Sequence, residues 1–439
     1  MKRIFYILTV LLCMACADDD NFSTSSALKL DFSVDTLKLD TVFSRTPSST
    51  YTFWVHNRND EGIRLSSVRL KRGNQSGFRV NVDGSYLDNA NGAVVNDLEI
   101  RRKDSLLVFV ELTAQDTYQQ EPVEIADELV FSMESGKEQS VRLQAWAWDA
   151  LKLYDPVIAK DSVIESMKPL IIYGEMRVEE GVTLNLRNTT LFFHDGSGMA
   201  VYGSLKTENC LMRGDRLDRM FPYLPYDRVS GQWSGIQLFD SSKDNMLINT
   251  EIRNSINGLV CQSQVLDTTA VKLRMEGCIV HNGQGVGVQT VNSNVVFKDC
   301  QLSNMQRDCM VIIGGMAEIS YCTLAQFYPF SGNRGAALHF TNEYPLTALN
   351  CEGLILTGYE DDVLKGEQKD GHAFDYHFKQ CLLRTPKVDD SAHFEDVIWE
   401  TPNDSIQGKQ HFVTVDEDNL IYDFHLDAKS PAQGLGCYR

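Results

Sequence analysis

The sequence predicts an all-β chain: a sandwich of short strands near the start, then parallel strands stacked into a long coil. Three observations carry this. Apolar and polar residues alternate in short runs from about residue 26 to 150, and no helical period of 3.6 interrupts them. Asn, Gly and Asp clusters separate the runs. Beyond Pro169 the chain repeats, with Cys278, Cys300 and Cys322 falling 22 residues apart. With 439 residues, 43% of them hydrophobic, the chain can bury a sizeable core in more than one domain. Its 41 basic and 60 acidic side chains leave a net charge of −19, which opposes phosphate binding and argues against a nucleic-acid partner.

The amino terminus reads as an address. Lys2 and Arg3 precede an apolar run from Ile4 to Leu12, which ends in Cys13-Met14-Ala15-Cys16. At about 1.5 Å per helical residue this run is far shorter than the roughly 30 Å hydrocarbon layer, so it has the form of a secretory signal and not of a retained membrane helix. Ala15 followed by Cys16 resembles the lipobox of bacterial lipoproteins, which implies residues 1–16 as the signal and Cys16 as the acylated first residue of the mature chain. Cys13 stands where that motif usually carries leucine. Asp18, Asp19 and Asp20 open an acidic tether over residues 17–25 and resemble the surface-export signal of Bacteroidota lipoproteins. The resemblance implies palmitate-type acylation and an outer-membrane location facing the cell exterior. A plain solvated tether is the alternative.

Seven strands are expected in the next segment: Leu28 to Phe32, Tyr51 to Val55, Ile63 to Leu70, Phe78 to Val82, Leu106 to Leu112, Leu129 to Met133 and Val141 to Trp148. About seven strands in some 120 residues is the size of an immunoglobulin-like sandwich, placed here at residues 26–150.

Residues 151–439 are expected to form the coil. In rows of 22, Val280, Leu302 and Leu324 fill one column and Asn282, Asn304 and Gln326 another. Thr250, Ile252 and Asn254 fit after a longer row, and Cys351 and Cys381 are expected to continue the cysteine column across insertions. Short apolar runs broken by Asn, Gly, Ser and Asp favour strands, so the repeat reads as a parallel β-helix whose coils stack about 4.8 Å apart. Its length, roughly 11 coils at about 24 residues each, gives some 50 Å. The opening runs Ile171-Ile172-Tyr173-Gly174, Val178 to Leu186 and Met199 to Leu205 look like the first coils of right-handed β-helix proteins. Tyr422 to Leu426 with Ser430-Pro431-Ala432 resembles their closing segment. The chain thus resembles Bacteroidota surface lipoproteins that join a sandwich to a right-handed, pectate-lyase-like β-helix.

Eleven cysteines in an exported chain would ordinarily suggest disulfides. In a parallel stack, however, successive side chains run parallel, whereas a bridge needs them to converge. Buried thiols are expected, no metal site is expected without close Cys-x-x-Cys spacing, and no cofactor is implied.

Residues from Gly214 to Ile236 break the repeat and are expected to protrude as a loop. Asp215, Arg216, Asp218, Arg219, Tyr223, Tyr226, Asp227, Arg228 and Trp233 offer charge and aromatic faces suited to a sugar or a protein partner. They could equally pair within the loop, with Trp233 as a plug. No acidic column recurs at the row period: Glu276, Lys298 and Ser320 follow one another, as do Gly277, Asp299 and Tyr321. Glu360-Asp361-Asp362 and Asp389-Asp390 read as solvated runs. The expectation is a non-catalytic scaffold or binding subunit on the cell surface, accessory to an outer-membrane β-barrel complex, with a protein partner. The alternative is a polysaccharide lyase, a glycoside hydrolase or a glycan-binding protein.

Overall fold

The computed structural model describes residues 21–87, 90 and 92–439, so the lipidation and export residues Cys16, Asp18, Asp19 and Asp20 lie outside it. Among the described residues no helix is long and apolar enough to cross a membrane. The chain divides into two compact units, Met1–Asp149 and Ala150–Arg439.

The first unit is a sandwich of two five-stranded sheets. One sheet orders Asp31–Phe32, Tyr51–His56, Ser105–Leu112, Phe78–Val82 and Ser85–Tyr86; the other orders Thr36–Phe43, Glu138–Trp148, Val123–Met133, Ile63–Leu70 and Val94–Ile100. Pairing is antiparallel except between Thr36–Phe43 and Glu138–Trp148. Alternation explains the core: Val108, Val110 and Leu112 turn inward to meet Leu65, Phe131 and Leu143, each such side chain contributing about 1.5–3 kcal/mol. Three strands lie beyond the sequence expectation, the short Ser85–Tyr86 among them. Thr36–Phe43 carries a register shift opposite Gln144 and Trp146, so its apolar residues lose strict alternation. Val94–Ile100 is interrupted by Asp97 at φ 58°.

The second unit is a parallel coil with three strand faces. The first face is a single sheet of 11 strands, from Leu151–Tyr154 to Ile398–Glu400. The other two faces merge where the long strands Val288–Lys298, Met310–Ser320 and Leu338–Glu352 run across their corner. Inward columns stack in register: Ile252, Val280, Leu302, Leu324, Leu356 and Leu383 follow one another and are all buried. Cys278, Cys300 and Cys322 stack as the sequence suggests, and all nine described cysteines are free thiols.

The continuation of that column needs one correction. Thr323 pairs with Ile355 and Ile355 with Leu382, which places Leu354 and then Cys381 above Cys322. Cys351 instead sits between Ile319 and Phe378 on another face, because the insertion before it lengthens the row.

Each coil turns a corner just before the cysteine column. Asn188, Asn209, Asn249, Gly277, Asp299, Tyr321, Gly353, Gln380 and Asp396 all hold positive φ there, between 45° and 67°. Asn and Gly adopt this left-handed conformation most readily, which explains their recurrence.

The closing segment runs back along the outside of the first face. Phe412, Phe424 and Ala432 bury Ala325, Phe327, Ile355 and Leu382. Its start is held by buried Glu400, which accepts from Arg384, the Gly408 amide and Thr357 Oγ1. Burial disfavours the charge, but His411, Gly408 and Arg384 together hold the Glu400 carboxyl below its usual pKa. Its end is held by Tyr438 Oη, which donates to Gln301 Oε1 at 2.8 Å, and by Arg439 paired with Asp299.

Candidate functional site

Between the first face, the protruding loop and the closing segment lies a cavity of about 400 Å³. Its floor is made of outward side chains from successive coils: Glu251 and Arg253, Ile279 and His281, then Gln301. They point outward because Ile252, Val280 and Leu302 between them point inward. Asp227 and Arg228 form one wall, and Tyr422, Asp423, His425 and Tyr438 form the other.

The walls are anchored. Asn254 Nδ2 donates to the Asp227 carbonyl at 3.0 Å, and Arg228 reaches across to the Asn419 carbonyl at the tip of the closing hairpin. Glu251 pairs with Arg253. Asp423 accepts from His425 Nδ1 at 2.6 Å, and the His425 backbone and side chain hold its carboxyl below the ordinary range. His281 shares a 2.8 Å hydrogen bond with Ser303 Oγ and lies 5.5 Å from the Tyr422 ring. Burial, reinforced by Arg253, pushes its pKa down to about 3, so the imidazole is neutral at pH 7. Burial raises the Tyr422 phenol. His425 stacks on Tyr438 at 4.1 Å.

Two buried polar atoms of this cavity, Asp227 Oδ1 and Tyr422 Oη, have no hydrogen-bond partner in the protein. Such groups are uncommon in folded interiors because each costs about 1–3 kcal/mol unless something completes it.

Of the nine loop residues singled out from sequence, the structure brings only Asp227 and Arg228 to this cavity. Asp215 accepts from His194 Nδ1 at 2.7 Å, and the His194 ring lies tilted 4.8 Å from that of Tyr173. Arg216 grips Asp218 through two hydrogen bonds, 2.8 and 2.7 Å, and lies 4.0 Å over Tyr226, leaving Asp218 only 8% exposed. Arg219 donates to the Pro222 carbonyl. Tyr223 is 78% exposed at the tip, stacked on Phe221. As part of a binding loop Trp233 is corrected: it is 0% exposed, stacks on Phe193 and donates to the Arg253 carbonyl at 2.8 Å. The acidic runs are also committed, Asp361 to Arg384 and Asp390 to His393.

The floor and far wall were missed. Glu251 and Arg253 alternate with Ile252, so row alignment could have marked them outward; nothing in the sequence brings Tyr422 to them.

A model of right-handed β-helix regions matches residues 175–352. The second unit is a right-handed β-helix. Among solved structures, the β-helix protein is similar to the catalytic unit of a GH87 α-1,3-glucanase from Streptomyces thermodiastaticus, at 9% identity over 80% of this chain and 89% of that one, with a TM-score of 0.29. It also matches a Porphyromonas gingivalis protein of unknown function, at 12% identity over 30% of this chain, with a TM-score of 0.20; it spans 60% of that chain. No curated protein matches the chain.

Proposed function

We propose that this β-helix protein is a non-catalytic binding protein that takes a neutral, hydroxyl-rich ligand, a glycan, in the cavity on its first face. The observation that carries this reading is the pair of unpartnered polar atoms, Asp227 Oδ1 and Tyr422 Oη, on residues that line one cavity of about 400 Å³. An acceptor and a hydroxyl beside aromatic rings suit a sugar, which offers hydroxyls at its rim and C–H bonds on its faces. Arg253 offsets the charge of Glu251 on the floor, and Asp423 is already hydrogen-bonded to His425, so a neutral ligand fits better than an ionic one.

Cleavage fits less well. Hydrolysis of a glycosidic bond takes two carboxyl groups in complementary protonation states. Glu251 and Asp423 are already engaged, and Asp423 is held ionised, leaving Asp227 without a second carboxyl to act with.

The test is calorimetric titration of the detergent-solubilised chain with neutral oligosaccharides. Tyr422→Phe removes an unsatisfied hydroxyl, so it is expected to keep or raise the melting temperature while weakening binding about tenfold, equivalent to about 1.4 kcal/mol. Unchanged affinity in this variant, or no binding by the wild type, overturns the reading.

The location proposed is the outer membrane, through a lipid on Cys16, with the acidic run Asp18 to Asp20 favouring the outer surface. A second reading, docking to a surface protein complex, is favoured by the exposed tip residues Met220, Phe221 and Tyr223. Cross-linking on intact cells with Tyr223→Ala as control separates the two, since only docking depends on the tip.

A further inference from the structure

We propose that the sandwich unit carries a separate sugar site, for a single pyranose unit, on the outward side of the sheet containing Tyr51–His56 and Ser105–Leu112. Alternation sets it up. Leu106, Val108 and Val110 fill the core, which turns Phe109 outward at 38% exposure; Tyr86 and Trp54 stand outward on the same sheet at 49% and 46%. Phe109 pairs with Asn81, and Asn81 with Tyr86. The two residues therefore stand two strand spacings apart, about 10 Å at the backbone, with Asn81 between them. Aromatic side chains on either side of such a gap offer carbon contacts of about 3.5–4 Å to a sugar ring that lies near it.

The cleft is a real cavity of about 220 Å³, lined by Tyr86, Phe109, Asn81, Arg79, Glu111 and Thr50. Its polar end is built: Arg79 Nη2 donates to Glu111 Oε2 at 3.0 Å, and Thr50 Oγ1 donates to Glu111 Oε1 at 2.6 Å. Within that arrangement Arg79 Nε is buried without a hydrogen-bond partner. The cleft thus pairs two ring walls with an unused donor beside an internally neutralised ion pair, which is the chemistry of a neutral sugar hydroxyl. A peptide adding as a strand is disfavoured, because both edge strands of this sheet, Asp31–Phe32 and Ser85–Tyr86, are two residues long.

The experiment is titration of the full chain in detergent with neutral hexasaccharides of glucose, mannose and galactose, reading stoichiometry and affinity with light scattering alongside. The wild type is expected to bind at two sites. Phe109→Ala and Tyr86→Ala, both at exposed positions, are expected to abolish one site, and Arg79→Gln, which keeps the rings, to weaken it about tenfold. Tyr422→Phe should affect only the other site, so failure of the β-helix cavity still leaves this one measurable. A stoichiometry unchanged by Phe109→Ala overturns the proposal. So does a wild-type dimer that Phe109→Ala converts to monomer without any sugar response, which would make the surface an interface between copies.

Discussion

The indole of Trp233 lies on the ring of Phe193 with centroids 4.2 Å apart and planes 9° from parallel, while its Nε1 donates to the Arg253 carbonyl at 2.8 Å. The protruding loop thus returns to the coil through a buried ring whose one polar atom fixes the strand that floors the cavity. Trp233→Ala is expected to cost about 3–5 kcal/mol, and Trp233→Phe, which keeps the stack but orphans the Arg253 carbonyl, clearly less. Urea unfolding measures both; equal losses would mean the hydrogen bond, not the stack, holds the loop.

Asp149 gives the sandwich a pH-dependent contribution. Burial opposes its charge, yet Ser44 Oγ and the amides of Thr117 and Tyr118 hold its pKa down to about 2. A depressed carboxylate stabilises the fold above its unfolded pKa, about 3.9, and that stability is lost as pH falls through 2. Asp149→Asn should therefore cost about 2 kcal/mol at pH 7 and progressively less below pH 4. Unfolding curves at pH 7 and pH 3 decide it; a constant difference contradicts the linkage.

The stacked thiols should be inert in the folded protein. Hydrogen bonding to Cys300 and burial raise the Cys278 pKa well above normal, and burial does the same for Cys300. At pH 8 a maleimide should label neither until the coil unfolds, as followed by peptide mass spectrometry. Labelling within minutes under native conditions would show that the axis opens locally.

Gln380 is exposed and holds φ 51° at a corner where other coils use Asn, Gly, Asp or Tyr. Relieving that conformation outweighs the added freedom of the unfolded chain, so Gln380→Gly is expected to gain about 0.5–1 kcal/mol. Thermal denaturation reads this as a rise in melting temperature; a fall would mean the Gln380 side chain holds the corner in a way the backbone does not reveal.

The coil was legible because its signal is one-dimensional. Cys278, Cys300 and Cys322 recur at a fixed spacing, and the stack puts equal spacing in equal places. Their neighbours Gly277, Asp299 and Tyr321 look unrelated as side chains, since what they share is a left-handed backbone. Cys351 misled for the opposite reason: its chemistry matches the column, but an insertion moves it to another face. The cavity was largely illegible because Asp227, His281 and Tyr422 come from a loop, a coil and a returning hairpin, brought together only by tertiary packing.

The far wall of the cavity, Tyr422 to Tyr438, follows every coil in the chain. During synthesis the winding strands emerge first, and the cavity is enclosed only when this last stretch lies down. A chain nicked near residue 405 could keep its whole spiral and still arrive as an open shelf, so intact winding by itself is no certificate of a closed cavity.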